Sequence, residues 1–372
     1  MSSPSTTSST QRPVVAVSRL IGAASAALSV PKAAPADSFV LHAPLELMAR
    51  VQLLAFVPPD RGDAALAMIE WLVEQYEAAG DPVAVPPPLP PGPPNAAALV
   101  AAVAAGDQHL VDSMASAWLP QWSAAEVVGL VGEALVPSLA AAGHAPIAMA
   151  LLLRDPSLPR TLLRGPLRSL AAQPTWQIDW YRSIAGNGDA GGLYDALRAA
   201  PRLGRPGSDF IHPLMSQAQQ PGMADLLLGP VLAHRYDVPA ALRTVTRIAA
   251  WSMLHDDPSQ APYGWSHALT MPQAVLGLAG AGVQARTALA VASTFALGFR
   301  LAHGTTALPE RIHPVAAPAS AGEVATAAAL HEDAHLVKYT LACLHAAADD
   351  REFAGLYLAA AAHLVEWWRA NG

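Results

Sequence analysis

Two imidazoles and an amine recur at i, i+4 and i+7 in His331-Glu332-Asp333-Ala334-His335-Leu336-Val337-Lys338. The stretch lies in an alanine-rich run whose spacing predicts one helix over 321–347, with His331, His335 and Lys338 on one face. Leu330, Leu336, Val337, Leu341 and Leu344 surround them, so that face is expected to be mostly buried. Buried imidazoles and amines are costly unless something satisfies them, and a metal would. Two imidazoles at this spacing can reach one ion. A protonated lysine repels a cation, but burial beside a metal favours the neutral amine. A neutral amine can add carbon dioxide to give a carbamate, which offers oxygen donors like a carboxylate. Lys338 is therefore either a structural charge or a modified ligand, and the residue chemistry taken alone favours the structural charge.

The other histidines to weigh sit beside helix signals. Leu41-His42-Ala43-Pro44-Leu45-Glu46-Leu47 is echoed by Gly143-His144-Ala145-Pro146-Ile147. Proline is favoured in a first helical turn, which places His42 and His144 at or just before a helix start. Trp265-Ser266-His267-Ala268-Leu269-Thr270 also opens an expected helix. The positive end of a helix keeps an imidazole neutral and able to bind metal. Each of these histidines, taken singly, reads more readily as a cap or a surface residue than as a ligand.

Composition narrows the function classes. The chain has 372 residues, is 52% hydrophobic and 14% charged, and carries a net charge of −7, so it can bury a large core and has no basic cluster for nucleic acid. No apolar run is long enough and free enough of polar residues to predict a membrane span. The single cysteine, Cys343, excludes an intramolecular disulfide and thiolate clusters. Any metal must be held by nitrogen and oxygen, and the cysteine usage fits a cytoplasmic protein. Val14 to Val30 followed by Ala33-Ala34-Pro35-Ala36 has the outline of a signal peptide, but Arg19 inside it and the long leader before it argue against secretion. Residues 1–37 are expected to be a flexible segment.

Long 3.6-residue periodicity, punctuated by Pro and Gly, predicts an all-α fold with one large multi-helix domain over residues 38–372. Helices are expected near 43–56, 62–79, 95–104, 123–142, 145–153, 159–172, 222–233, 238–254, 268–279, 284–302, 321–347 and 350–370. Pro86 to Pro94 should be an extended connection, and Asn187 to Gly192 a loop. No G-x-G-x-x-G follows an expected strand, and neither a G-x-x-x-x-G-K-[ST] loop nor a G-x-S-x-G elbow occurs.

Four segments resemble the questin oxidase-like family. Leu41 to Leu47 is similar to its N-H-x-P-M-A-L segment, and Leu135 to Ile147 to its L-x-P-G-L-A-x-A-x-F-H-G-L-I segment. Trp265 to Thr270 is similar to L-H-A-V-T. Asp333-Ala334-His335-Leu336-Val337-Lys338-Tyr339-Thr340-Leu341-Ala342-Cys343-Leu344 is similar to D-E-H-A-I-K-x-T-E-A-C-L, the most specific of the four. Departures are Leu41 for Asn, Gly143 for an aromatic, Pro146 for Leu, and Leu341 for Glu.

The resemblance implies an α-helical oxidative enzyme, its single domain built around a central metal and substrate cavity, acting on aromatic polyketides by Baeyer–Villiger-type oxygenation or ring cleavage of anthraquinones. It implies metal ligands at His42, His144, His267, His335 and a carboxylated Lys338, with His335 and Lys338 also assigned to catalysis. His331 falls outside the matched motif and is expected behind the ligands. Imidazole and oxygen donors suit Fe(II), although Zn or Mn would fit the same set. The expected function is a non-haem iron oxygenase taking dioxygen and an anthraquinone-like substrate. Alternatives are a Baeyer–Villiger-type monooxygenase using NADPH as external reductant, and a non-catalytic helical protein that binds an aromatic metabolite. Oligomeric state stays open, with Trp367 and Trp368 readable as core or interface.

Overall fold

Short polar side chains set where many helices begin. Asn95, Asp107, Ser123, Asp237, Ser320 and Asp333 each accept a hydrogen bond from a first-turn backbone N–H, and Ser123 and Ser320 form capping boxes with Glu126 and Glu323. The computed structural model describes residues 14–33, 38–84, 86, 89, 92–184, 192–207, 211–220, 222–233 and 237–372. The described part of the chain is all-α.

The helices run, in order, α1 (Val14–Leu28), α2 (Ser38–Leu53), α3 (Gly62–Ala78), α4 (Ala96–Ala104), α5 (Gln108–Trp118), α6 (Ala124–Val127), α7 (Glu133–Leu135), α8 (His144–Arg154) and α9 (Arg164–Ala172). They continue with α10 (Leu193–Arg198), α11 (Ile211–Gln219), α12 (Met223–Leu232), α13 (Val238–His255), α14 (Ser266–Leu278), α15 (Ala285–His303), α16 (Ala321–Ala329), α17 (Ala334–Asp349) and α18 (Ala354–Asn371). Among the described residues the only β pairings are isolated bridges, Lys32 with Pro82 and Ser138 with Gln177. No helix there is long and apolar enough to cross a membrane.

Helices that are apolar all round sit at the centre, because they have no face to give to water. α14 is one, buried from Ser266 through Leu276, and it packs against α8, α13, α15 and α17. α2 packs on α8 and on α17. The four helices α2, α8, α14 and α17 therefore close a ring, each touching the next. A single hydrophobic core joins this ring to the outer helices, from Ala24 of α1 to Val365 of α18.

Three expectations need correction. Val14–Leu28 is a helix that buries Ala24 and Leu28, where a flexible segment was expected; residues 1–13 and 34–37 lie outside the described residues. The helix expected over 123–142 is broken by a π-helical turn at Val128–Gly132 and ends before a left-handed run at Ala141–Gly143. The helix expected over 321–347 is two helices, because Asp333 caps a new start. Pro87, Pro88, Pro90 and Pro91 of the expected extended connection fall outside the described residues, as do residues 187–191 of the Asn187 loop and His234.

Candidate metal centre

The backbone before His144 is unusual. Ala141 and Ala142 have φ of 52° and 50°, and Gly143 follows at 78°. A left-handed alanine costs about 1–2 kcal/mol, so packing must impose this turn. Gly143 suits the turn twice over, since it adopts positive φ without strain and a Cβ there would lie 2.8 Å from Met271 Sδ, which would have to move. That explains the absence of an aromatic residue before His144. The turn delivers His144 as the first residue of α8, buried in the ring.

His42 and His267 sit near the starts of α2 and α14 without being their first residues. His42 lies in the second turn of α2, with Pro44 inside the helix. His267 follows a π-helical turn at Ala261–Trp265 that runs directly into α14. Each is oriented from within its own helix: Nδ1–H of His42 donates to the Ser38 carbonyl oxygen at 2.6 Å, and Nδ1–H of His267 donates to that of Tyr263 at 2.7 Å. A carbonyl can only accept, so in both rings Nδ1 carries the proton and Nε2 keeps the lone pair. This is the arrangement by which helices present imidazole to a metal.

The rings converge. One ring nitrogen from each of His42, His144 and His267 lies within 4.8 Å of the other two. His335 stands outside that triad but against it, its ring centroid 4.4 Å from His42 and 5.0 Å from His267. His335 Nδ1 faces the Asp333 carboxylate at 3.5 Å. His42 Nε2, both nitrogens of His144 and Lys338 Nζ are buried without a hydrogen-bond partner. Unpartnered buried nitrogens are rare in native proteins and ask for an ion or water. Nitrogen ligands about 2.0–2.1 Å from one ion sit roughly 3–4 Å apart, so the triad needs only a small closing movement. The residues fit a metal.

The electrostatics suit neutral donors. Burial holds His42, His144 and His267 well below the usual histidine range, reinforced by Lys338 and the neighbouring rings. Burial pushes Lys338 down to about 7, against the pull of Asp333 and Glu46. Glu46 is one the sequence reading missed. It lies one turn beyond His42, fully buried, and burial pushes its carboxyl up to about 7 against Arg50. Arg50 binds Glu46 Oε1 through Nε and Nη2, at 2.8 and 2.6 Å, and leaves Oε2 unpartnered. Its other bonds go to the Ala329 and His331 carbonyls, tying α2 to the break between α16 and α17. A His-x3-Glu-x3-Arg spacing inside an apolar helix was the available signal.

His331 precedes α17 and does not share a helix face with His335. Its Nδ1 accepts from Asp333 N–H at 2.9 Å, and its ring packs on Trp368. It shapes the capping turn from which His335 starts. His212 stacks on Trp176 instead of joining the cluster.

A cavity of about 190 Å³ adjoins the centre. Ala49 of α2, Leu151 and Arg154 of α8, Thr270 of α14, and Lys338 and His345 of α17 line it. On every one of these helices the histidine comes first and most or all of the lining residues follow. No family model, curated protein or solved structure matches the chain.

Proposed function

We propose that this protein is a non-haem iron-dependent oxygenase that inserts oxygen into, or cleaves, a ring of an anthraquinone-like aromatic. The observation that carries the reading is the set of unpartnered, buried imidazole nitrogens at His42 and His144, gathered with His267 within 4.8 Å beside a cavity that also receives Lys338. Iron, when bound, supplies the redox chemistry that an oxygenation needs. His42, His144, His267 and His335 would hold it. Lys338, neutral above about pH 7, is suited to take up carbon dioxide with loss of a proton and offer a carbamate oxygen. The cavity walls, largely aliphatic with Thr270, Arg154 and His345 among them, suit a flat apolar molecule with a few oxygen substituents.

Metal analysis of protein purified anaerobically tests the proposal. Stoichiometric iron, with oxygen uptake on adding a hydroxyanthraquinone, is the expected result. Protein that takes up no transition metal would overturn it and leave a helical binding protein for an aromatic metabolite. Oxygen uptake that depends on NADPH would favour the Baeyer–Villiger-type monooxygenase.

A further inference from the structure

A second cavity, about 510 Å³, lies between α13, α14 and α17 and takes no part in the site above. Val238 and Leu242 of α13, Leu276 of α14 and Ala346 of α17 give it apolar walls. One side chain, Gln273 of α14, lines both this cavity and the one beside Lys338. Its Nε2–H donates to the Ala342 carbonyl oxygen of α17 at 2.9 Å. Gln273 therefore stands in the seam between α14 and α17, with one chamber on each side.

Two observations connect the chambers. The lining positions of α17 form one stripe, Lys338, Leu341 and His345 on the inner chamber and Ala346 and Asp349 on the outer. At a rise of 1.5 Å per residue the stripe is about 16 Å long. Small residues also line the two chambers on either side of Gln273, with Ala274, Gly277 and Ala342 on the inner and Gly280 on the outer. Size gives the third argument. Pockets for drug-sized ligands span about 300–1,000 Å³. The inner chamber falls short of that range and the outer one lies within it.

We infer that the two chambers form one binding site parted by Gln273, and that its ligand is a hydroxy-aromatic carrying an apolar extension. The ring enters the inner chamber beside Lys338. The extension passes Gln273 into the pocket under α13. Gln273 is thus the residue that selects for length. This rests on the inner chamber being the substrate site.

The glycines supply the test. A Cβ added at Gly277, on the inner chamber, or at Gly280, on the outer, meets nothing within 4 Å, so a tryptophan at either has room to start. Anaerobic calorimetric titration of the protein as purified with 4-ethylresorcinol and 4-hexylresorcinol compares a short and a long ligand on one ring. Gly280→Trp should weaken the hexyl compound about tenfold or more, the loss of roughly two buried methylenes, and leave the ethyl compound within about twofold. Gly277→Trp should weaken both. Gln273→Ala should strengthen the hexyl compound alone. If Gly280→Trp changes neither ligand while Gly277→Trp excludes both, the inner chamber is a site and the shared-site inference is wrong. If the wild-type protein binds neither compound, the inference falls together with the substrate-site reading, while metal uptake is judged separately.

Discussion

Nδ1–H of His267 donates to the carbonyl oxygen of Tyr263, four residues earlier, at 2.7 Å. The same Tyr263 places its half-exposed ring edge-on to His335, with centroids 4.9 Å apart. One residue of a π-helical turn thus fixes one imidazole through its backbone and shields another through its side chain. π-Helical turns are uncommon and recur at functional sites.

Tyr263→Ala should leave the His267 bond intact, since that bond uses the main chain, and should change stability little because the ring is half exposed. It should open His335 to solvent. The check is the rate at which a chelator strips metal from loaded protein, which should rise several-fold over wild type. An unchanged rate would mean the ring is not a cover.

His144 is buried with neither ring nitrogen bonded. An unsatisfied buried polar group costs about 1–3 kcal/mol. His144→Leu should therefore raise the thermal midpoint of the metal-free protein while removing most of its metal affinity. Calorimetry and metal titration on the same sample measure both. A histidine kept for structure would instead lower the midpoint.

Burial pushes Lys338 to about 7 from an ordinary 10.5. Between those values the unfolded chain holds more protons than the folded one, so this group makes stability rise with pH across that window and destabilises fully below it. Lys338→Met should stabilise the metal-free protein most at pH 6, with the gain shrinking from pH 7 toward 10.5. Denaturation midpoints at several pH values give the comparison; a gain independent of pH would contradict it.

Asp333 Oδ1 accepts from the backbone N–H of His335 and of Leu336 at 2.9 and 3.0 Å, while Oδ2 faces the His335 ring. Asp333→Ala should cost about 1 kcal/mol of stability through the lost cap. It should also weaken metal binding roughly tenfold or more, as removal of a carboxylate behind a ligand does. Asp333→Ser restores the cap but not the carboxylate, so it should recover stability without recovering affinity.

Periodicity was enough to place most helices, because alanine- and leucine-rich amphipathic runs carry their own signal. Gly62–Ala78, Val238–His255 and Ala285–His303 end within a residue or two of where the pattern predicts. The failures have physical reasons. Asp333 is a cap signal, but it is embedded in an otherwise continuous helical pattern, so His331 was read onto the wrong face. Nothing in two alanines announces positive φ, and the turn before His144 exists only because tertiary packing imposes it. Glu46 escaped notice because a single carboxylate in an apolar helix reads as a surface charge until Arg50 and the ring around it are known. The histidines themselves were visible, but their convergence depends on how α2, α8, α14 and α17 close on one another, and no local pattern encodes that.

The placement of those four imidazoles has a consequence for how the protein is held together. Each imidazole sits near the leading end of its helix, and the four come from residues 42, 144, 267 and 335. An ion bound by them would rivet segments from nearly the whole described chain at one point. Closing such long loops removes much of the freedom of the unfolded chain, and ligand binding to the native state adds to its stability. Such an ion would act as the last fastener of the architecture as well as a reagent.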